Sequence, residues 1–297
     1  MEDLIIGMGE ALWDIYPGNV KKLGGAPANF AYHVSQLGLN GCVLSAVGKD
    51  ALGDEIIDVF NERELRQIVS RVDYPTGQVL VTLNSGGVPS YDIKENVAWD
   101  NIPFTDNLEN IAANTKAVCF GSLAQRNVTS MNTITKFVDM VSASNKDALK
   151  IFDINLRQKF YTKEILAESF KKCNVLKIND EEVIEVGRLF NLPGIYMQEW
   201  CWVLIEKYDL EMLILTCGAS GSYVFTHNSV SFEETPKVEV ADTVGAGDSF
   251  TAAFCVAKLT GKSVQESHKF AVDVSAHVCT QNGAMPLLPQ GLKDRLK

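Results

Sequence analysis

No stretch of the 297-residue chain runs to about 18 consecutive apolar residues, and its opening, MEDLIIGMGE, has no basic segment ahead of an apolar one. Both absences point away from a membrane span and from export. Positive charge is scarce as well. Against 37 Asp and Glu stand 27 Lys and Arg, a formal net charge of −10, which argues against broad nucleic-acid binding and against attraction to an anionic membrane. Any anionic ligand has to be held locally. Paired cysteines are missing too: Cys42, Cys119, Cys173, Cys201, Cys217, Cys255 and Cys279 are odd in number and spread singly, with no CxxC. They read as reduced, buried thiols of a cytoplasmic protein, and the lone sequon at Asn127-Val128-Thr129 is then a chance match.

Familiar chemical signatures are also incomplete. His33, His227, His268 and His277 lack metal-ligand spacing, and no GxSxG nucleophile motif is present. GMGEAL (7–12) begins like a dinucleotide fingerprint but has Leu12 where the third glycine belongs. GKS (261–263) ends like a P-loop, but Val256 stands where its first glycine is required. No repeat, low-complexity segment or linker interrupts the chain, and with 46% hydrophobic and 22% charged residues all of it is expected to fold.

What is present is a rhythm. Continuous apolar runs (LIIGMGE, CVLSAVG, AVCFG, KIFDIN, VLKIN, MLILTCG) alternate with amphipathic stretches at 27–37, 52–60, 128–141, 165–170 and 183–190. Strands that are apolar throughout belong to a parallel sheet covered on both faces. The segment 76–99 breaks the pattern with strand-like runs about a Ser-Gly-Gly turn, and 221–234 reads as a second hairpin. A strand is expected at 238–241, a helix from about 250 to 257 stopped by Gly261, and a further helix at 264–278.

The chemistry concentrates at polar strand ends. In DTVGAGD (242–248) a bare turn precedes a helix start, where backbone N–H groups lack intrahelical partners and small residues admit an anion. Asp248 directly behind it is either a charge complementing the helix dipole or a base for a hydroxyl attacking phosphorus. Asp242 and Thr243 add oxygens suited to a cation. GGAPANFA (24–31) is a good βα junction whose Gly25 permits close approach and whose Asn29 can both donate to and accept from a sugar hydroxyl pair. Asp14 can join it. DINLR (153–157) and NDEE (179–182) end two further strands, with Arg157 able to counter phosphate charge and Asn179 and Glu182 able to order water about magnesium.

Along nearly its whole length the chain resembles the PfkB, or ribokinase-like, family of carbohydrate kinases. DTVGAGDSF is similar to that family's C-terminal signature, GGAPANFA to its sugar-binding segment, KIND-EE to its NxxE motif, and TCGASGS to its T-x-G-x-x-G. The resemblance implies one doubly wound α/β domain over 1–297, its mainly parallel sheet flanked by helices, with a small β-sheet lid from about 11–23 and 74–100. It implies ATP held by Asn179, Thr216, Gly218, Gly221, Gly245 and Gly247, and a sugar held by Asp14, Gly24, Gly25, Asn29, Arg157 and Asp248. Asp248 would be the base, Gly245, Ala246 and Gly247 the anion hole, and Arg157 a further charge partner. Asn179 and Glu182 would organise Mg2+ through water, and Asp242, Thr243 and Gly283 would hold a monovalent cation such as K+. GEALWDIYP followed by GGAPANFA is closest to bacterial fructokinases, and Ala26 replaces the lysine of the ribokinase GGKGAN. Fructose to fructose 6-phosphate is the first expectation, with 2-keto-3-deoxygluconate and ribose as alternatives. A catalytically silent sugar sensor is the alternative of another class. The lid's edge strand either faces solvent or pairs with a second copy, giving a homodimer.

Overall fold

A computed structural model describes residues 3–83 and 89–296. The strands are β1 (Leu4–Met8), β2 (Leu12–Tyr16), β3 (Val20–Gly24), β4 (Asn40–Gly48), β5 (Arg66–Val72), β6 (Gly77–Leu83), β7 (Pro89–Ile93), β8 (Thr115–Phe120), β9 (Leu149–Asp153), β10 (Val175–Asn179), β11 (Met212–Thr216), β12 (Ser222–Thr226) and β13 (Ser229–Glu233). The main helices are α1 (Ala26–Gln36), α2 (Ala51–Glu62), α3 (Asn107–Ala113), α4 (Val128–Ser144), α5 (Lys163–Lys172), α6 (Asp180–Phe190), α7 (Met197–Tyr208), α8 (Ala246–Leu259) and α9 (Val264–Cys279).

Nine strands form one sheet in the order β13-β12-β11-β10-β9-β8-β1-β4-β5, and four form a separate one, β3-β2-β6-β7. From β5 to β11 across the large sheet every neighbouring pair is parallel, and β12 is reversed, antiparallel to both β11 and β13. The apolar strands bury both faces as their composition requires. In β1, Leu4, Ile6 and Met8 enter a core shared with α3 to α7, whereas Ile5 enters the opposite core with α1, α8 and α9. Chain order reverses between β1 and β8, the switch point where open α/β sheets leave a crevice at their strand ends.

The β insertion expected within 76–99 is the β6–β7 hairpin, antiparallel, with β6 lying parallel to β2. Its Ser-Gly-Gly turn (85–87) falls outside the described residues. The hairpin occupies less of the segment than its pattern suggested. Thr76 is an anchor, its N–H and hydroxyl both donating to Asp50 (2.8 and 2.5 Å). Beyond Ile93 the chain turns into the main core: Trp99 is fully buried, Arg126 stacks 4.2 Å over its ring, and Arg126 pairs with buried Asp100 at 2.7 Å.

One expected strand is absent. Residues 238–241 have no strand partner, and Val238 and Val240 lie exposed. The backbone N–H groups of Ala241 and Asp242 donate instead to the Cys279 carbonyl at the end of α9. The apolar alternation of VEVA therefore reflects a segment laid over the surface, not a ladder.

Candidate active site

Helix α8 begins at Ala246 because Gly245 before it is left-handed (φ 80°), and a Cβ there would come within 2.7 Å of Ala284. No side chain caps this start. Ala246 N–H donates to the Thr243 carbonyl (3.2 Å), and the first helical bond is Ser249 N–H to Gly245 O (2.8 Å). Of the three N–H groups expected over 245–247, that of Ala246 is thus engaged in a turn, and that of Gly247 stands at the open helix start, joined there by that of Asp248, which was not among the three.

Asp248 receives a hydrogen bond from Asn29 Nδ2 at 2.7 Å, across 219 residues of sequence. Burial pushes its pKa up to about 6 and the Asp153 charge adds to this, while the Asn29 bond, Lys177 and Arg157 oppose it. Asn29 is delivered by the first turn of α1, whose N-cap Gly25 has φ 119° and would drive a Cβ into the Glu10 carbonyl at 2.3 Å. At Gly24 a Cβ would meet Asp14 Oδ2 at 2.6 Å. The two glycines accordingly let β1 and the small sheet close on α1.

They also bring in Glu10, part of the GMGEAL stretch to which the sequence reading gave no role. Glu10 is 3% exposed, its Oε2 has no hydrogen-bond partner, and burial pushes its pKa up to about 7. Asp14, in β2, is raised to about 6 by burial, against the pull of Lys22 and Arg157. Arg157 is exposed and donates to the Leu156 carbonyl (3.0 Å); its charge lowers Glu10, Asp14 and Asp248 alike. The adjoining Gln158 Nε2 donates to the Tyr91 carbonyl at 2.7 Å, linking the Arg157 loop to the small sheet.

Beneath the turn lies a cation that pattern reading passed over. Lys177, in the middle of β10, pairs with Asp153 at the end of β9 (3.1 Å), both nearly buried. Its Nζ is 3.1 Å from where a Gly247 Cβ would be. Burial pulls the Lys177 pKa down, but Asp153, Glu182 and Asp248 together outweigh that and hold it above its ordinary value. Thr251 Oγ1 closes the cluster by donating to Asp153 Oδ2 at 3.0 Å.

Asn179 and Glu182 form a capping box at the start of α6. Glu182 N–H donates to Asn179 Oδ1 (2.8 Å), and Glu182 Oε2 accepts from Asn179 N–H (2.9 Å). Glu182 Oε1 also accepts from Leu156 N–H (2.9 Å), which fixes the loop carrying Arg157. Burial raises the Glu182 pKa, Lys177 working the other way. Among the described residues no group of three or more acidic, His or Cys side chains could hold a metal alone. The remaining lone pairs of Glu182 and Asn179 suit water on a magnesium ion held mainly by nucleotide phosphates.

Asn179 and Thr216 are register partners at the ends of β10 and β11. Behind Thr216, Gly218 (φ 52°) faces open space, whereas Gly221 (φ 100°) lies against the Glu233 carbonyl, where a Cβ would come within 2.6 Å. Asp242, Thr243 and Gly283 also come together, but through Gly283 N–H donating to Asp242 Oδ2 (3.1 Å). Arg157, Asn179 and Thr216 thus stand at or beyond the C-terminal ends of β9, β10 and β11, while Asn29 reaches Asp248 from the start of α1.

A family model for the pfkB family of carbohydrate kinases matches residues 17–291. An uncharacterized sugar kinase of Pyrococcus horikoshii is 30% identical over 95% of this chain and 91% of its own. Its crystal structure superposes with a TM-score of 0.83, covering 99% of this chain and 96% of that one, and it has also been solved in complex with ATP. An ATP-dependent 6-phosphofructokinase of Thermoanaerobacterium thermosaccharolyticum is 28% identical over 91% of this chain and 82% of its own. Fructokinase-2 of Oryza sativa is 26% identical over 97% and 91%.

Proposed function

The chain belongs to the pfkB family of carbohydrate kinases, and from that premise we propose that it transfers the ATP γ-phosphoryl group to the 6-hydroxyl of fructose. The contact that carries the reading is Asn29 to Asp248 at 2.7 Å. It joins the GGAPAN segment, suited to sugar hydroxyls, to the one carboxylate set behind a bare helix start. Asp248 takes the hydroxyl proton. The outward N–H groups at the start of α8, with Lys177 beneath them, receive the charge that develops on the phosphoryl oxygens. Releasing Ala246 N–H from Thr243 adds a further donor to that hole.

Asn29, Asp14 and the backbone at Gly24 and Gly25 orient the sugar. Arg157 is the one cation that acts on all three of Glu10, Asp14 and Asp248, with Lys22 adding to its pull at Asp14 and Lys177 at Asp248. With Lys22 beside Asp242 and Lys177 paired to Asp153, three carboxyl groups around the exposed Arg157 guanidinium favour an uncharged polyol over a sugar acid or a sugar phosphate. Thr216, Gly218 and Gly221 line the nucleotide side. Magnesium, when bound, neutralises phosphate charge beside Asn179 and Glu182.

A coupled assay of ADP release over fructose, ribose, 2-keto-3-deoxygluconate, mannose and fructose 6-phosphate tests the reading. The expected outcome is the highest kcat/KM with fructose. Preference for the keto-acid or for fructose 6-phosphate overturns the polyol assignment, and sugar binding without ADP release with every substrate favours the sensor.

A further inference from the structure

Some of the groups that the resemblance assigns to potassium are already engaged within the chain. Asp242 Oδ1 accepts from Val244 N–H (3.1 Å) and Oδ2 from Gly283 N–H (3.1 Å). The carbonyls that follow are occupied as well: Ala284 O accepts from His33 Nε2 (2.9 Å), Met285 O from Arg63 (2.9 Å) and Pro286 O from Gln36 (2.7 Å). Burial holds His33 down to about 4, so the ring stays neutral and Nε2 keeps the proton it donates. Beyond the neutral oxygens that remain, what draws a free cation is the negative charge of Asp242 itself, and a cation from the chain is already there. Lys22 Nζ lies 3.7 Å from Asp242 Oδ2.

Lys22 sits in β3 directly across from Asp14 in β2, and its ammonium packs 5.2 Å over the Tyr16 ring. It also lowers the Asp14 pKa against burial. We infer that Lys22 is a tethered cation serving the turn before α8. Its ammonium neutralises Asp242 in place of a free potassium ion and ties the sugar-side strands to the loop that positions Asp248. A second unit charge at the same carboxylate would be repelled by Lys22, which offsets part of its attraction to Asp242. A lysine fixed to the fold occupies the position without waiting on the ion concentration. Lys22 is thereby a positioning residue: Asp14 at the sugar end and Asp242 at the phosphoryl end share one positive charge.

This inference rests on the kinase reading, so its test carries a readout that needs no turnover. The wild type, Lys22→Met and Lys22→Arg are assayed at constant ionic strength in potassium and in choline chloride, with thermal melting followed in both salts. The wild type and Lys22→Arg are expected to change by less than about twofold between salts, whereas Lys22→Met drops about fivefold in choline, the scale of a partly exposed ion pair, and recovers in potassium. Melting of Lys22→Met alone is expected to rise in potassium. Strong potassium dependence of wild-type activity or melting, or a Lys22→Met variant indifferent to the salt, overturns the role of Lys22. If no sugar is phosphorylated the kinase reading fails, while the melting series still decides the question for Lys22.

Discussion

Asp248 and Glu182 are both carboxylates in the first turn of a helix at the rim of the same sheet, yet the structure treats them in opposite ways. Glu182 follows an asparagine cap and has both oxygens committed to backbone N–H groups, those of Asn179 and Leu156. Asp248 follows a glycine that offers no cap, and one of its oxygens takes a side-chain bond from Asn29. The residue at the N-cap decides the difference. A capping side chain closes the helix start and turns the acid into a strut; a bare glycine leaves the N–H groups open and leaves the acid available to a substrate. Position in the first turn, by itself, does not distinguish a base from a brace.

The contrast is broken most sharply by removing each acid. Asp248→Asn keeps the shape and the Asn29 neighbour but cannot accept a proton, so kcat is expected to fall by about 10²- to 10⁴-fold with melting unchanged or slightly raised. Turnover near wild type would remove Asp248 from the base role. Glu182→Ala should act in the other direction. It strands the partly buried N–H groups of Asn179 and Leu156, and urea denaturation is expected to show a loss of about 1–3 kcal/mol. If Glu182→Ala costs no stability while Asp248→Asn does, the assignment of strut and base is reversed.

These two sites also mark what sequence could and could not convey. The parallel sheet, the βα junctions and the small hairpin were legible because each rests on local period and on residues with one dominant use, such as Gly25 or Gly245. Asn29, Asp248, Asn179 and Glu182 were legible for the same reason: they flank turns whose geometry the glycines or caps announce. Lys177, Asp153 and Glu10 were not. Each lies within or just beyond an apolar run, and its role depends on partners in neighbouring strands that sequence spacing does not give. The available signal was the anomaly itself, because a lysine inside VLKIN or an aspartate inside KIFDIN must find a partner if the strand is buried on both faces. The reading of 238–241 failed in the complementary way: VEVA has strand period, but no strand edge lies beside it. Helix α7 and strand β5 were passed over between stronger patterns, and the same holds for α3.

The smallest expected effect concerns how Asp248 is tuned. Its folded-state pKa of about 6 lies above the ordinary 3.8, so the native protein binds more protons than the unfolded chain between those values. Stability from this group therefore falls as pH rises from 3.8 to about 6, and the ionised carboxylate is carried at a cost above that range. Activity runs the opposite way, since only the ionised form is a base, and kcat/KM is expected to fall with an acid limb near 6. Glu10, raised to about 7 by burial with the Asp248 charge adding to this, sharpens the test. At the limb near 6 Glu10 is mostly protonated, so Glu10→Gln mimics its neutral form and should leave the limb of Asp248 in place while removing any further step near 7. A limb that moves down in Glu10→Gln would mean that Glu10 is already ionised when Asp248 gives up its proton, and would reverse the order of the two groups.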